Sequence, residues 1–597
     1  LLLLVFIGKI SSSIPAFAKD NQNAGANVPY TEYQAETAET NGNIVKGGRT
    51  YRNPASEASE RGYVSLSGIG KYVTFTLTKP ADALVLRFGI PDSEDGSGRN
   101  ATLSMYIGGK KETLSLTSKY SWVYGKFPWT NNPKDGKAHH FFDDVRIKLD
   151  RIYSAGTKIT FKIDKENDAD YYMLDCLDAE VAEPTKKQPV NSLSVLDFGA
   201  TPNDGTDDTE AIVNCINAAV EKKKEVYIPE GEFLITNPAY VKGIMLTKDD
   251  TVIRGAGMWH TILKGEKAGF FIKAKNISLY DFSLIGNVDH RNDSEPAAIQ
   301  LESDMARRAK NIHIENIWME HWKVGVWASR AEEVHIKGCR IRNTFADGIN
   351  FSRGTSRSVV EQCDIRNTGD DGIAAWSAAL ADTDIVFRNN TVSLQWLANN
   401  IAVYGGKDIQ IKGNLIKDTV AFGSGINIST RFNPQPFAGK IIVSGNRLER
   451  CGSYEYDIGK PYGAIWFNTE KGHDNHADVI VQNNQIIDST YHGILFFNEG
   501  LLEHVLLKNN TIDTAGTYGI EAGPKTKGKA VLVNNVIRNT KQGGIHNASG
   551  ETFTIQASDQ QKRVLPEVLA AGSAVLAAGI LFILFWKRKN KVKKPMD

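Results

Sequence analysis

Two aspartates 24 residues apart, Asp347 and Asp371, each stand directly before a Gly-Ile pair, in the stretches TFADGINF and NTGDDGIAAWS. Asp370 adds a third acid beside the second of them. Carboxyls gathered on one face can cleave a glycosidic bond: a protonated acid serves the leaving oxygen, and an ionised carboxylate activates water or attacks carbon. In a coil repeating with that period, the spacing stacks Asp347 and Asp371 one turn apart. Their charges then oppose one another, and a proton or a shared water relieves the repulsion. Stacked this way they are too close for an inverting acid and base, which need about 6.5–9.5 Å, but they suit joint activation of one water, leaving Asp370 as the acid.

The repeat is visible. Short strands closed by a small or amide residue recur as VHIKGCRIRNT, VVEQCDIRNT, IVFRNNTV, IQIKGNLIKDT, IIVSGNRLERC, VIVQNNQIID, VLLKNNTIDTA and AVLVNNVIRNT. Their pivots, Cys339, Cys363, Asn390, Asn414, Asn446, Asn484, Asn510 and Asn535, lie 24 to 38 residues apart, with the excess in polar insertions. Such periods mark a solenoid. Alternating Val/Ile strands between Asn/Gly turns, without long helices, predict a right-handed parallel β-helix, whose turns climb by about 4.8 Å. The pivot asparagines then form an internal amide ladder closing backbone hydrogen bonds. The five cysteines read as buried free thiols, given their odd number and lack of a regular framework.

The expected fold class is all-β: an antiparallel β-sandwich over 30–183, a linker over 184–192 and the β-helix over 193–556. A spacer, 557–565, leads to an apolar segment, 566–586, expected to span a membrane as one helix, and a basic cytoplasmic tail, 587–597. Residues 568–586 carry no charge and would extend about 29 Å as a helix. At the other end, residues 1–18 finish in Ala16-Phe17-Ala18 and read as a truncated secretion signal. These ends predict an extracellular protein anchored in the cell membrane. Net charge is +1, and the last eleven residues alone contribute +5, so the body is slightly acidic and unsuited to gripping nucleic acid. A monomer acting on a polysaccharide is expected.

The region 30–183 opens with YTEYQAETAET and closes with MLDCLDAE. That bracket resembles carbohydrate-binding modules of family 35, in which acids near both ends hold a structural calcium. The resemblance carries the calcium to Glu36, Glu39 and Asp175, with oxygen ligands suited to a hard cation. In the aromatic loop YSWVYGKFPWTNN, Trp122, Tyr124 and Trp129 are candidates to stack on sugar faces.

The solenoid opens with SVLDFGATPNDGTDDTEAIVNCINAAVEKKKEVYIPEGEFLIT, predicting an amphipathic helix over 208–221 whose apolar face is Ala211, Ile212, Cys215, Ile216 and Ala219. This passage resembles the start of the pectate-lyase-like superfamily, where such a helix plugs the end of the β-helix and Asp204, Asp207 and Asp208 serve as turn and cap residues. One Asp followed a coil later by an Asp-Asp pair is similar to polygalacturonases and dextranases, and more so to the α-1,3-glucanase and mycodextranase family of glycoside hydrolases. That resemblance implies hydrolysis of α-1,3-glucan or nigeran with no cofactor for catalysis. It implies Asp370 as acid and Asp347 with Asp371 as the water-activating base. Trp376, Trp396, Tyr404, Arg431 and Trp466 are the candidate substrate contacts. The Gly-His-Gly and Arg-Ile-Lys of polygalacturonases are absent, the stretch reading NNIAVYGGKDIQIKG, so a uronate carboxylate lacks its usual cation. A lyase would need a Lys, Arg or Tyr base with uronate-neutralising charge, and an alginate-type epimerase a Tyr-Gly-x-Asp-Pro-His stretch. A non-catalytic binding solenoid remains open.

Overall fold

The computed structural model describes residues 23–47, 53–126, 129–303, 308–456, 459–497 and 499–558. The expected signal, membrane span and tail lie outside them. Among the described residues no helix is long and apolar enough to cross a membrane.

The first unit is a β-sandwich. One sheet runs in the order Asp143–Tyr153, Ala81–Gly89, Tyr172–Glu180, Gly62–Leu66, Asn43–Lys46; the other runs Glu39–Thr40, Tyr72–Thr76, Lys158–Lys162, Asn100–Ile107, Lys110–Thr117. Alternation sends Leu84, Leu86, Phe88, Leu174 and Leu177 from one sheet against Phe75, Leu103, Met105, Ile159 and Phe161 from the other.

The second unit is a parallel β-solenoid with three strands per turn. Two of them share a 24-stranded sheet and the third builds a 12-stranded sheet. One turn comprises Glu332–Lys337, Arg340–Thr344 and Ile349–Ser352; the next comprises Ser356–Glu361, Asp364–Thr368 and Ile373–Trp376, in register with the first. Inward Val, Ile and Phe stack along the whole length as one core. The pivot asparagines form the predicted ladder. Each of Asn390, Asn414, Asn446, Asn484 and Asn510 donates its backbone N–H and side-chain amide to the Oδ1 of the next, at 2.9–3.1 Å. Cys363 joins it through its backbone N–H on Asn390, and all five cysteines are buried free thiols.

A helix, Thr209–Lys222, closes the N-terminal end with Ile212, Cys215, Ile216 and Ala219 buried. Asp208 occupies its N-cap position without capping by its side chain. Its carboxylate instead accepts from the Thr201 and Leu234 backbones, tying helix to solenoid.

The sandwich is not a tethered module. It is bolted to the second solenoid face through buried charge. Arg366 donates to Asp178 at 2.9 Å and to Asp144 at 3.2 Å, and Arg340 makes a fork with Glu180 at 2.6 and 2.7 Å. His321 meets Asp143 at 2.9 Å. The linker also lies against the first turns, where the Lys186 backbone donates to Ala256 O at 2.8 Å.

This docking corrects the calcium set. Asp175 is ion-paired with Arg87 and accepts from the Ser59 backbone at 3.0 Å. Glu39 is exposed and paired with Lys158 at 2.8 Å, while Glu36 is buried elsewhere. Among the described residues no acid cluster joins these three. The acids closing the region, Asp178 and Glu180, instead meet the arginines of the solenoid.

Candidate active site

The aspartates project from a repeated turn. In Arg342-Asn343-Thr344-Phe345-Ala346-Asp347 and in Arg366-Asn367-Thr368-Gly369-Asp370-Asp371 the asparagine takes left-handed backbone, with φ of 47° and 64°. Each threonine hydroxyl then donates to the carbonyl two residues on, at 2.9 and 2.7 Å. The glycine after each acid is needed for close approach of the turns. A Cβ on Gly348 would come within 2.4 Å of Gly372 O, and one on Gly372 within 2.6 Å of Asn400 O. Register places Asp347 and Asp371 one turn apart, and the Gly348 N–H donates to Asp371 O at 3.0 Å.

Asp347, Asp370 and Asp371 each bring a carboxylate oxygen within 4.8 Å of the other two. They open into a cavity of about 600 Å³, a size suited to a small-molecule or sugar ligand. Asp371 is buried and held at both oxygens: Asn399 donates to Oδ1 from its backbone at 3.0 Å and its side chain at 2.8 Å, and Tyr404 donates to Oδ2 at 2.9 Å. Burial, then the charge of Asp370, pushes Asp371 up to about 7, opposed by Asn399 and Tyr404. Asp347 is pushed well above the usual carboxylate range by burial first, then by Asp370 and Asp371. Asp370 is the most exposed, and Arg291 donates to its Oδ2 at 2.7 Å. Burial therefore disfavours the charged form of Asp347, while Asp370 has the Arg291 cation beside it.

Of the aromatic candidates, Trp376, Tyr404 and Trp466 line the cavity, as does Arg431. The indole N–H groups of Trp376 and Trp466 are buried without a protein partner, as are Oδ1 of Asn350 and of Asn427 on the same wall. Four such atoms offer hydrogen bonds to sugar hydroxyls. Trp396 does not line the cavity: it is fully buried and stacks on Phe141 of the sandwich at 4.9 Å. Trp129 packs in the same cluster, with Val123 and Phe345. Tyr124 gives its hydroxyl to Asp92 at 2.7 Å, and Trp122 gives its indole N–H to Ile90 O at 3.0 Å. These four residues build and brace the domain interface and sandwich rather than a sugar platform.

Sequence reasoning also missed the cations. Arg291, Lys323 and Arg353 line the cavity beside Arg431. They arrive from separate loops and turns, so no contiguous motif announces them. Three of the four are engaged: Arg291 on Asp370, Lys323 on Asp293 O at 2.8 Å, and Arg431 over the Phe432 ring at 4.9 Å.

The sandwich backs the catalytic turns directly. Phe345, two residues before Asp347, and Trp396, three before Asn399, both pack on Phe141. Gly369, next to Asp370, has space for no side chain, since a Cβ would lie 2.3 Å from the Trp396 ring.

Family comparison fits this two-part site. Residues 27–182 match the model for α-1,3-glucanase catalytic domain D1, and residues 206–556 match that for catalytic domain D2. The catalytic unit of a thermostable family GH87 α-1,3-glucanase from Streptomyces thermodiastaticus strain HF3-3 is 32% identical, with a TM-score of 0.79 over 90% of this chain and 96% of that one. The Agl-KA catalytic domain is 29% identical, with a TM-score of 0.81 over 90% and 99%. A GH87 α-1,3-glucanase catalytic domain solved with nigerose is 28% identical, with a TM-score of 0.79 over 90% and 99%. GH87 catalytic domains have also been solved as single Asp→Ala variants, two at consecutive positions and one 23 residues before them, with nigerose or tetrasaccharides. Asp347, Asp370 and Asp371 share that spacing. Among curated proteins, alginate lyase 7 of Azotobacter vinelandii is 33% identical over 110 residues, which is 16% of this chain and 13% of that protein's length. With catalytic-domain models spanning both the sandwich and the solenoid whose joint action positions the acids, this chain belongs to the α-1,3-glucanase family GH87.

Proposed function

We propose that the protein hydrolyses α-1,3-glucosidic bonds of α-1,3-glucan or nigeran. The observation that carries this reading is the convergence of Asp347, Asp370 and Asp371 in one cavity of a chain from this family. Of the four cavity cations, Arg291 is neutralised by Asp370, Lys323 and Arg431 have other protein partners, and the polygalacturonate arm of the test below covers Arg353. Reducing-sugar release from α-1,3-glucan, nigeran, dextran and polygalacturonate tests it. Release from polygalacturonate but not from the α-1,3-linked substrates would overturn it.

In this reading Asp370 gives its proton to the departing glycosidic oxygen. Asp347 and Asp371 hold a water, take one of its protons and direct its oxygen to the anomeric carbon. The donors on both oxygens of Asp371 support this role, since they hold it in place and weaken it as a nucleophile. The product is then inverted, β from an α bond, and NMR of the first-formed sugar decides: an α product would show a covalent intermediate. The Arg291 ion pair favours a second assignment, in which Asp347, whose charged form burial disfavours, is the donor. α-Glucosyl fluoride separates the two, because fluoride leaves without a proton. The variant lacking the true acid retains this activity, whether Asp370→Asn or Asp347→Asn.

We further propose that the enzyme works outside the cell, held by residues 566–586. Membrane fractionation of the full chain and of one ending at Ser558 tests this, and equal partitioning would refute it.

A further inference from the structure

Two long turns of the solenoid follow the aspartates on their C-terminal side. From Asn414 to Asn446 is 32 residues and from Asn446 to Asn484 is 38, against 24 between Asn390 and Asn414. The first insertion holds Arg431 and Phe432. The second is the hairpin Tyr454–Glu455 with Lys460–Pro461, which continues into Tyr456.

Among the described residues, Phe432 and Tyr456 are the only aromatics among the exposed large hydrophobics, at 55% and 37%. From the cavity wall a line of rings leads away: Phe422 to Tyr456 at 6.0 Å, Tyr456 to Tyr454 at 5.2 Å, Tyr454 to Tyr491 at 5.6 Å. Phe422 and Phe432 both hold left-handed backbone, with φ of 57° and 69°. Bulky side chains avoid that region, and such outliers persist where the surroundings impose them, most often at ligand sites. The opposite end of the cavity is charged, with Arg291, Asp293, Lys323 and Arg353. The cavity therefore gathers most of its charge at its N-terminal end, beside Trp327, while Phe422 and Phe432 flank Arg431 at its C-terminal end.

We propose that Tyr456, Tyr454 and Tyr491, entered past Phe422, form a docking track for the distal part of a long, neutral glucan chain whose scissile bond lies at the aspartates. Ring faces and edges suit the C–H faces of the pyranoses of an uncharged polymer. Continuity with the cavity selects glucan as the occupant over an unrelated partner. This deepens the activity proposed above and rests on it.

The test compares the full-length protein with Tyr456→Ala, Tyr456→Phe and Tyr454→Ala/Tyr456→Ala on polymeric α-1,3-glucan and on a nigero-tetrasaccharide. The ratio of kcat/KM on polymer to that on tetrasaccharide should fall about 10-fold in the double variant, two stacking contacts being lost. It should be restored in Tyr456→Phe. An unchanged ratio, whether both activities fall together or neither does, overturns the track. Should the unmodified protein cleave no α-1,3-linked substrate, the proposed activity fails. Affinity electrophoresis in soluble α-1,3-glucan then judges the track alone: retardation lost in the double variant supports it, and equal retardation refutes it.

Discussion

Tyr404→Phe isolates the proton affinity of the base from its position. The ring stays against Phe432, 5.4 Å between centroids, and the hydroxyl's bond to Asp371 Oδ2 is lost together with the weaker one it accepts from Asn399 Nδ2 at 3.3 Å. Both residues are buried, so solvent screens the bond little. A hydrogen bond to a charged group is worth about 1.5–3 kcal/mol, and one pKa unit corresponds to about 1.4 kcal/mol. Asp371, already pushed up to about 7, should therefore bind its proton about one to two units more tightly. A base works ionised, so its rate rises with pH through that pKa and the substitution moves the rise upward. Because three acids share the site, the shift is read as the apparent acidic limb of kcat/KM. Activity at pH 5.5 should fall about 10- to 100-fold while activity well above the new limb falls only slightly. A stopped reducing-sugar assay from pH 5 to 10 measures both. An equal loss at every pH, or an acidic limb that stays in place, would refute the assignment of Asp371 as base.

The interface gives the remaining predictions. Arg366→Met leaves Asp144 and Asp178 buried without this partner and should cost about 3–5 kcal/mol, read by chemical denaturation; a loss under 1 kcal/mol would refute the bolt. Deleting residues 23–182 should give an insoluble, inactive solenoid, because it bares Trp318, Trp396, Arg340, Arg342 and Arg366; a soluble, active product would show that the sandwich is dispensable. Stability should fall as pH rises from about 4 to above 7. Glu320, Asp371 and Asp382 are each pushed up to about 7, chiefly by burial, so the folded chain keeps protons that the unfolded chain releases near its ordinary carboxylate values. Calorimetry at pH 5, 6.5 and 8 should show a falling Tm; a rise over that range contradicts the burial argument.

How legible the site was depends on which face of a strand is asked about. Inward positions were plain, because period-two alternation and the pivot asparagines leave one arrangement that satisfies both core and backbone. The acids were plain because their turn repeats. Outward positions were ambiguous: Trp396 and Trp376 look alike in sequence, yet one is buried under Phe141 and the other lines the cavity. Strand periodicity does not encode which outward face a second domain covers. A signal did exist in charge, since RIRNT and DIRNT carry outward arginines and MLDCLDAE carries their acids Asp178 and Glu180, but reading that stretch through Asp175 as a calcium ligand left those two acids unassigned. Arg291 had no such signal, because it reaches Asp370 from a distant loop.

Those two faces meet in one segment. Five residues before Asp347 and Asp371 stand Arg342 and Arg366, buried against the sandwich, where both contact Asp144. Between arginine and acid, Asn343 or Asn367 turns the chain and Thr344 or Thr368 fastens it. Asn367 also donates to Phe142 O of the sandwich at 2.9 Å. The chain that projects each of these aspartates therefore begins at the domain interface. A change there should alter the spacing of the carboxylates without touching substrate, which explains why this β-sandwich belongs to the catalytic unit rather than to a tether.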